Sequence, residues 1–499
     1  MSTLTPLSHE NIESLDISEP EEPSLSYKKG PLGAWAVLLL ILVALLSYSD
    51  FAHISIISTL LYGIVFACVS TRLLSFCYGW IKKNQPAPLS ETNLDSHILL
   101  PSPERNTSTQ ARPRLHYLDN VKVFLTALVV SHHVSCSFGG CGANSWTIMI
   151  GLHSPEDLSE SPIFTKCLSS FALLNQSYFM SLFFFISAYF VPSSYLRKEL
   201  WEFHYERAKR YLIPFYLVFF IIMPIAILIA LATSGSPFDY VMNYGPAWFL
   251  FWLIIFNTVY SSSTVKNTSG LVIKEMKMPK FLVREGIGGI LICGLCMFGV
   301  IVALSKRGDF FFMPIAMGSL INDVFFFIMG ILAYHNHWLE IPLRDQIDFP
   351  IWFLRLLTIV EAILIIACME LEYWIPLFIL TGLFCIDMSL VVLEFFQTYA
   401  DQATALSKYL SSAAYGVYII HPVVVTAFTC IFVVIYNATG VGDGIQFEDF
   451  TMSYSQLVGP DKGGLVLFFG WFVCNILSHA VLWPLAHWMK TLPGLKQIL

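Results

Sequence analysis

Lys122 and His133 stand eleven residues apart in an otherwise apolar segment, Tyr117-Leu-Asp-Asn-Val-Lys-Val-Phe-Leu-Thr-Ala-Leu-Val-Val-Ser-His-His-Val. On a helix this spacing is about three turns, so the two side chains share a face, offset by roughly 20° and separated by roughly 16 Å along the axis. His132 is rotated about 80° from Lys122. Polar groups inside an apolar span are expensive and therefore informative. A cation at one end of a helix, with an imidazole half a bilayer further along the same face, suits an elongated anionic ligand. Its head would stay at the cation while its reactive end reaches the imidazole, a group suited to general-base work near neutral pH. Taken singly, Lys122 reads as a snorkelling anchor and a lone histidine as a helix–helix hydrogen bond. The shared face is what adds weight to chemistry.

Three further stretches carry polar groups that the apolar background does not require. Arg207 and Arg210 in Arg197-Lys198-…-Glu206-Arg207-Ala-Lys209-Arg210-Tyr-Leu-Ile-Pro214 are three apart, hence helical neighbours. Two adjacent guanidinium forks suit a phosphate or pyrophosphate; the bland alternative is positive-inside anchoring. Tyr415-Gly-Val-Tyr418-Ile-Ile-His421-Pro422 sets a histidine beside a helix-kinking proline. The bland reading there is a histidine bonded to a carbonyl that the proline frees. Phe183-Phe-Phe-Ile-Ser187-Ala-Tyr189 by itself says close helix packing, and Tyr244-Gly-Pro-Ala-Trp248 opens a span where a tryptophan is ordinary interfacial behaviour. Asp323, Glu361 and Asp387 are the remaining intramembrane carboxylates, candidates for orienting a histidine.

These residues are positioned by a chain in which 56% of residues are hydrophobic and 13% charged. The apolar residues come in blocks too long to be one face of a soluble protein, which excludes a cytosolic enzyme, a disordered chain and a disulfide-stapled secreted domain. A net charge of −7 without a separate basic domain argues against nucleic acid as a partner. A bilayer core needs roughly 20 apolar helical residues. Twelve stretches qualify: 34–50, 53–80, 118–137, 173–193, 211–233, 246–261, 286–304, 313–334, 350–370, 373–394, 411–436 and 464–489. The expectation is an all-α integral membrane protein of about twelve transmembrane helices, since every backbone group in lipid needs an internal partner and no alternating pattern suggests a barrel.

Placing both termini in the cytoplasm leaves only Lys166, Lys306, Arg307 and Lys462, of 28 basic residues, in outward loops. The positive-inside rule favours that orientation strongly. Residues 1–32 are polar, acidic and rich in Ser, Pro and Glu, and read as a disordered cytoplasmic tail without a cleavable signal. Residues 33–81 form an N-terminal hairpin, 82–116 a cytoplasmic linker, 117–490 a ten-span body, and 491–499 a cytoplasmic C-terminus. No internal repeat of the transporter kind is visible. Most of the eleven cysteines lie inside spans; Cys136, Cys141 and Cys167 sit at or beyond the outer surface, where one bridge among them is compatible with the compartment. The CxxC at Cys293 and Cys296 lacks His or carboxylate neighbours, and no metal site is expected. Asn437-Ala-Thr439 is a sequon on a predicted outer loop, whereas those at Asn106 and Asn267 fall inside. Glycosylation at Asn437 would support this orientation and a eukaryotic setting.

From about 115 to 489, roughly three quarters of its length, the chain resembles membrane acyltransferase family 3, ten-span enzymes that O-acylate extracytoplasmic acceptors. Four motifs in order carry the resemblance. A basic residue, ten residues, then a histidine is matched by Lys122 and His133, with Lys where Arg is more usual. Phe-Phe-x-x-Ser-Gly-Phe/Tyr is similar to Phe184 through Tyr189, with Ala188 for the glycine. Arg-x-x-Arg before a proline corresponds to Arg207, Arg210 and Pro214, and Tyr-x-x-His-Pro to Tyr418, His421 and Pro422. The N-terminal hairpin is additional to the family's minimal core.

The resemblance implies a multi-pass O-acyltransferase that takes an acyl group, by expectation acetyl, from cytoplasmic acyl-CoA to a hydroxyl of an extracytoplasmic or lumenal glycan or lipid. His133 would be the catalytic base; Lys122, Arg207 and Arg210 would hold the donor; His132, Ser187, Trp248, His421, Asp323 and Asp387 would support them. A transient acyl-histidine is the alternative to direct transfer. The expected partners are membrane lipids, acyl-CoA and a hydroxyl acceptor, in the plasma membrane or an endomembrane. The rival reading is a proton-coupled secondary transporter, which intramembrane His and carboxylates would also fit.

Overall fold

The structure is a computed structural model and describes residues 114–141, 146–150, 163–235, 243–263, 309–310, 313–314, 320–347, 350–440, 444–447, 455–458 and 464–495. The expected spans 34–50, 53–80 and 286–304, the tail, nearly all of the linker, the Cys293/Cys296 pair and the sequons at Asn106 and Asn267 lie outside the described residues. The other expected spans fall on helices, except that 313–334 is helical only from Leu320, its start Met313–Pro314 being a strand: α1 (His116–Ser135), α2 (Ile163–Tyr189), the run α4 (Leu200–Ser234), α5 (Trp248–Ser263), α6 (Leu320–His335), α8 (Ile351–Glu370), α9 (Trp374–Tyr399), α10 (Ala405–Ala438) and α11 (Gly464–Met489). Short helices α3 (Val191–Leu196) and α7 (Leu343–Gln346) connect them. Two small antiparallel hairpins, Asp309–Phe310 with Met313–Pro314 and Gly444–Phe447 with Ser455–Val458, are the described strands. Among the described residues seven helices are long and apolar enough to cross a bilayer. The chain is an all-α integral membrane protein.

Helix α1 is the hub, packed against α2, α9, α10 and α11. Its Leu118, Val121 and Leu125 are wholly buried, following the helical repeat that turns one stripe towards neighbours. Helices α8 and α11 are peripheral. On α8 the buried residues are Leu354, Thr358, Glu361 and Ile365, a single stripe, while Trp352, Leu356, Ile359 and Ile363 are exposed. Apolar outside faces are what a lipid solvent permits. Close approach needs small residues, and the chain supplies them: a Cβ at Gly330 of α6 would collide with the Phe185 carbonyl of α2, and one at Gly416 of α10 would lie 3.0 Å from the Ala486 Cβ of α11.

The two ends of the bundle differ. At the basic end Tyr117 donates its backbone N–H to Asp401 (2.9 Å) and its hydroxyl to the Leu339 carbonyl (2.9 Å), and Asn120 donates to the Ala400 carbonyl (2.6 Å). There also the buried Glu394 carboxylate accepts from both Arg344 (2.9 Å) and Arg355 (2.8 Å). At the opposite end α1 runs into a π-helical turn, Cys136–Gly140, closed by a Cys136–Cys141 disulfide. That bridge is among the three cysteines whose positions allowed one; Cys167 is free and exposed. Asn437 falls on the last turn of α10 rather than on a loop, and its side chain holds the backbone of Ile445 by two hydrogen bonds (2.6 and 3.2 Å). The helix continues through Ala438, and Gly440, with a φ of +64°, ends the run.

Candidate active site

Two prolines shape the site by what they lack. Pro422 has no N–H, so the Tyr418 carbonyl one turn earlier has no helical partner. His421 takes it: its Nδ1 lies 2.6 Å from that oxygen. Only an N–H can serve a carbonyl, so Nδ1 carries the proton and Nε2 is left as the acceptor nitrogen of the neutral ring. Nε2 is buried without a partner. Pro214 does the same to the Arg210 carbonyl, and the Tyr415 hydroxyl donates to that oxygen. The helix there widens into a π-helical segment, Ala208–Leu212, a feature often found at functional sites.

His133 and His421 meet face to face. Their ring centroids are 5.1 Å apart with the planes 26° from parallel. Trp146 closes over both, edge-on, at 5.0 Å from His133 and 6.4 Å from His421. His421 is 0% exposed and Trp146 3%, whereas His133 keeps some accessible surface. His132 turns elsewhere, as its rotation on the helix requires: it packs on Phe179 (5.4 Å) with Nε2 3.8 Å from the Cys141 sulfur. His132, Cys136 and Cys141 would make a compact set of soft metal ligands, all within 4.8 Å, but the two sulfurs are bonded to each other.

The cations gather one level away, at the basic end. Arg207 donates to the Tyr211 hydroxyl (3.1 Å) and lies 5.0 Å above the Phe203 ring. Arg210 stands 6.0 Å over Tyr415. Lys122 pairs with Asp119 (2.8 Å) and sits 5.0 Å over Phe190. Arg207, Arg210 and Lys122 all lie within electrostatic reach of the one Tyr211 hydroxyl. Helix α10 links the two levels, since Tyr415, Tyr418 and His421 follow at three-residue steps, each the helical neighbour of the next. Tyr415 touches Arg210, Tyr418 donates to the Pro246 carbonyl, and His421 stacks on His133.

The remaining candidates are placed differently. Pro246 and Ala247 are buried, Trp248 is half-buried against Phe184 (6.3 Å), and α5 begins beside Tyr418. Ser187 is half-buried on α2, two residues from the Tyr189 ring that meets Phe190. Asp323 accepts from Ser181 (2.7 Å), and Asp387 shares a hydrogen bond with Glu361 across α8 and α9. The titratable neighbours of His133 are His421 and His132, so no carboxylate is its orienting group among the described residues. Backbone carbonyls orient His421 instead. Trp146 and Tyr211 carried no signal in the sequence. The Tyr415/Tyr418/His421 repeat did, as three polar groups at three-residue steps along an apolar helix.

No curated protein and no solved structure matches this chain. The family model Acyl_transf_3, an acyltransferase domain, matches residues 115–441. The matched stretch begins just before Lys122, ends after His421, and so takes in every residue of the stacked pair, the cationic group and the α10 ladder between them. The last helix, α11, lies beyond it. With about two thirds of its length under one model, the chain belongs to the Acyl_transf_3 family of membrane acyltransferases.

Proposed function

We propose that the protein transfers an acyl group, in the simplest case acetyl, from cytoplasmic acyl-CoA to a hydroxyl of a glycan or lipid on the far side of the membrane. The observation that carries this reading is the stacked His133–His421 pair lying in line, along α10, with the three cations around Tyr211. The donor's phosphates would rest against Arg207, Arg210 and Lys122, where charge-assisted hydrogen bonds are strongest. Its thioester would extend past Tyr418 towards His133.

His133 removes the proton of the acceptor hydroxyl as the oxygen attacks the acyl carbon. The C–O bond forms, the C–S bond breaks, and the same proton passes to the departing thiolate, so that CoA leaves as the thiol. His421, held by the Tyr418 carbonyl, offers Nε2 beside His133 and fixes the plane of its ring. Direct transfer uses each group once and needs no acyl-histidine. In this reading both termini are cytoplasmic, the ten-span body from 117 to 490 forms the enzyme, and the membrane is the plasma membrane or an endomembrane.

The test is radiolabelled acyl-CoA with purified protein, with and without an extracytoplasmic glycan or lipid extract. Label should move to the acceptor when one is supplied, and His133→Ala should abolish the transfer. Accumulation of substrate in vesicles without acylation would instead support the carrier reading.

A further inference from the structure

In the reading above the donor reaches the histidine pair from the cationic end, and something must decide what reaches it from the other side. Residues 146–150 fold back into the bundle beyond the disulfide. All five are buried, Thr147, Ile148, Met149 and Ile150 completely. They are tied to the π-turn at the end of α1: the Ile150 N–H donates to the Ser137 carbonyl (2.8 Å) and the Thr147 and Ser137 hydroxyls meet at 3.3 Å. Ser137 lies inside the loop that the Cys136–Cys141 bridge closes. The side chain this device delivers is Trp146, laid edge-on across both rings of the pair.

We propose that Trp146 is the positioning residue of the acceptor side: it seals the His133–His421 pair from the disulfide end of the bundle and is displaced by the acceptor, whose hydroxyl then replaces it against His133. This rests on the acyltransferase reading above. The indole excludes water from a base that would otherwise activate it. A broad aromatic wall beside two imidazoles favours an acceptor with a flat apolar face next to its hydroxyl, such as a sugar ring, which gains stacking contact that water does not. With the wall removed, water attacks the thioester carbon: the C–O bond to water forms, the C–S bond breaks, and the water proton goes to the thiolate, releasing free acid and CoA.

Two measurements decide it. In a His133→Cys protein reconstituted into liposomes, a membrane-impermeant methanethiosulfonate is added to one face at a time and labelling of position 133 is read by peptide mass spectrometry. With Trp146 present, reagent from the disulfide face should label slowly. Trp146→Ala should raise that rate several-fold without changing labelling from the basic face, and Trp146→Phe should stay near the parent. Equal rates in all three overturn the seal, whatever the enzyme's activity. Where Trp146→Ala does not accumulate, Trp146→Leu, apolar but narrower, gives the same reading. In the chain with His133 intact, Trp146→Ala should raise the ratio of donor hydrolysis to acceptor transfer. An unchanged ratio overturns the acceptor role, whereas absence of any acyl-CoA turnover in the parent overturns the function and leaves the labelling result standing.

Discussion

His421 is held by the carbonyl of Tyr418, three residues back on its own helix, at 2.6 Å from Nδ1. That oxygen is free because Pro422 follows. A buried histidine ordinarily has two tautomers to choose between; here the backbone chooses, and the unprotonated Nε2 is left buried without a partner on a ring stacked against His133. The same arrangement, a proline and the carbonyl it frees, recurs at Pro214 and Arg210, where Tyr415 is the donor. Both levels of the site are thus built on backbone groups that a regular helix would have consumed.

Pro422→Ala therefore has an unusual signature. Restoring the N–H lets the Tyr418 carbonyl rejoin the helix and releases the imidazole. A proline inside a helix costs about 3 kcal/mol, so the variant should melt no lower than the parent and preferably higher. Acyl transfer should fall by about 100-fold, the usual effect of a small misplacement at a reacting centre. Equal activity in a protein of equal or greater thermal stability would show that the freed carbonyl has no part in the reaction.

The two histidines should separate by role. His133→Ala removes the base and should lower turnover by at least about 100-fold, with little change in apparent donor affinity. His421→Asn keeps a donor for the Tyr418 carbonyl but lacks the second nitrogen and the ring. It should lose turnover too, because the second ring nitrogen and the stacked plane beside His133 are both gone. Single-turnover assays in detergent or nanodiscs check both, and a fully active His133→Ala would remove the assignment.

How much of this was readable beforehand follows from the physics of each feature. Helix positions were, because block length measures the thickness of the apolar solvent. The Lys122–His133 face was, because spacing on one helix is local geometry. Which helix faces which is not written in periodicity: lipid is as apolar as leucine, so helix pairing is settled by small residues and polar contacts at particular heights. Hence the stacking of His421 on His133, and the burial of Trp146 from a loop with no apolar block, emerged only in three dimensions. The contact of Trp248 with Phe184, at the start of an α5 that begins beside Tyr418, likewise needs the packing of two helices to be known. Asn437 reads as a glycosylation signal from three residues, yet its amide is committed to Ile445.

That commitment makes a direct prediction. Asn437 should be unmodified in the folded protein, with no mobility shift on endoglycosidase treatment, and Asn437→Ala should loosen the Gly444–Phe447 hairpin, read as faster amide exchange there. A shift on deglycosylation would mean that the sugar is added before the end of α10 folds.

The donor clamp is testable by charge and by salt. Arg207 and Arg210 act at the basic end, and a charge-assisted hydrogen bond contributes about 1.5–3 kcal/mol. Replacing either by Ala should raise the donor KM by about 10- to 100-fold while turnover at saturation changes little. Raising ionic strength should raise the parent's donor KM as exposed charges are screened, and should do so less in the double variant. Unchanged KM in both would place the phosphates elsewhere.

The last prediction concerns the disulfide end of the molecule. Cys136 and Cys141 are bonded across a five-residue separation, and Cys167 is free and exposed. Alkylation of the native protein without reductant should modify Cys167 and spare the other two, and peptide mapping should recover the 136–141 loop intact. Reduction should then release two further thiols. By the loop-entropy argument closing so short a loop contributes about 2 kcal/mol, so Cys136→Ser with Cys141→Ser should lower thermal stability modestly. Its larger effect should be on function: the π-turn that anchors residues 146–150 loses its staple, Trp146 loses its fixed position over His133, and donor hydrolysis should rise at the expense of transfer. Free thiols at Cys136 and Cys141 in the unreduced protein would remove the staple from the account, and with it the reason for the turn's rigidity.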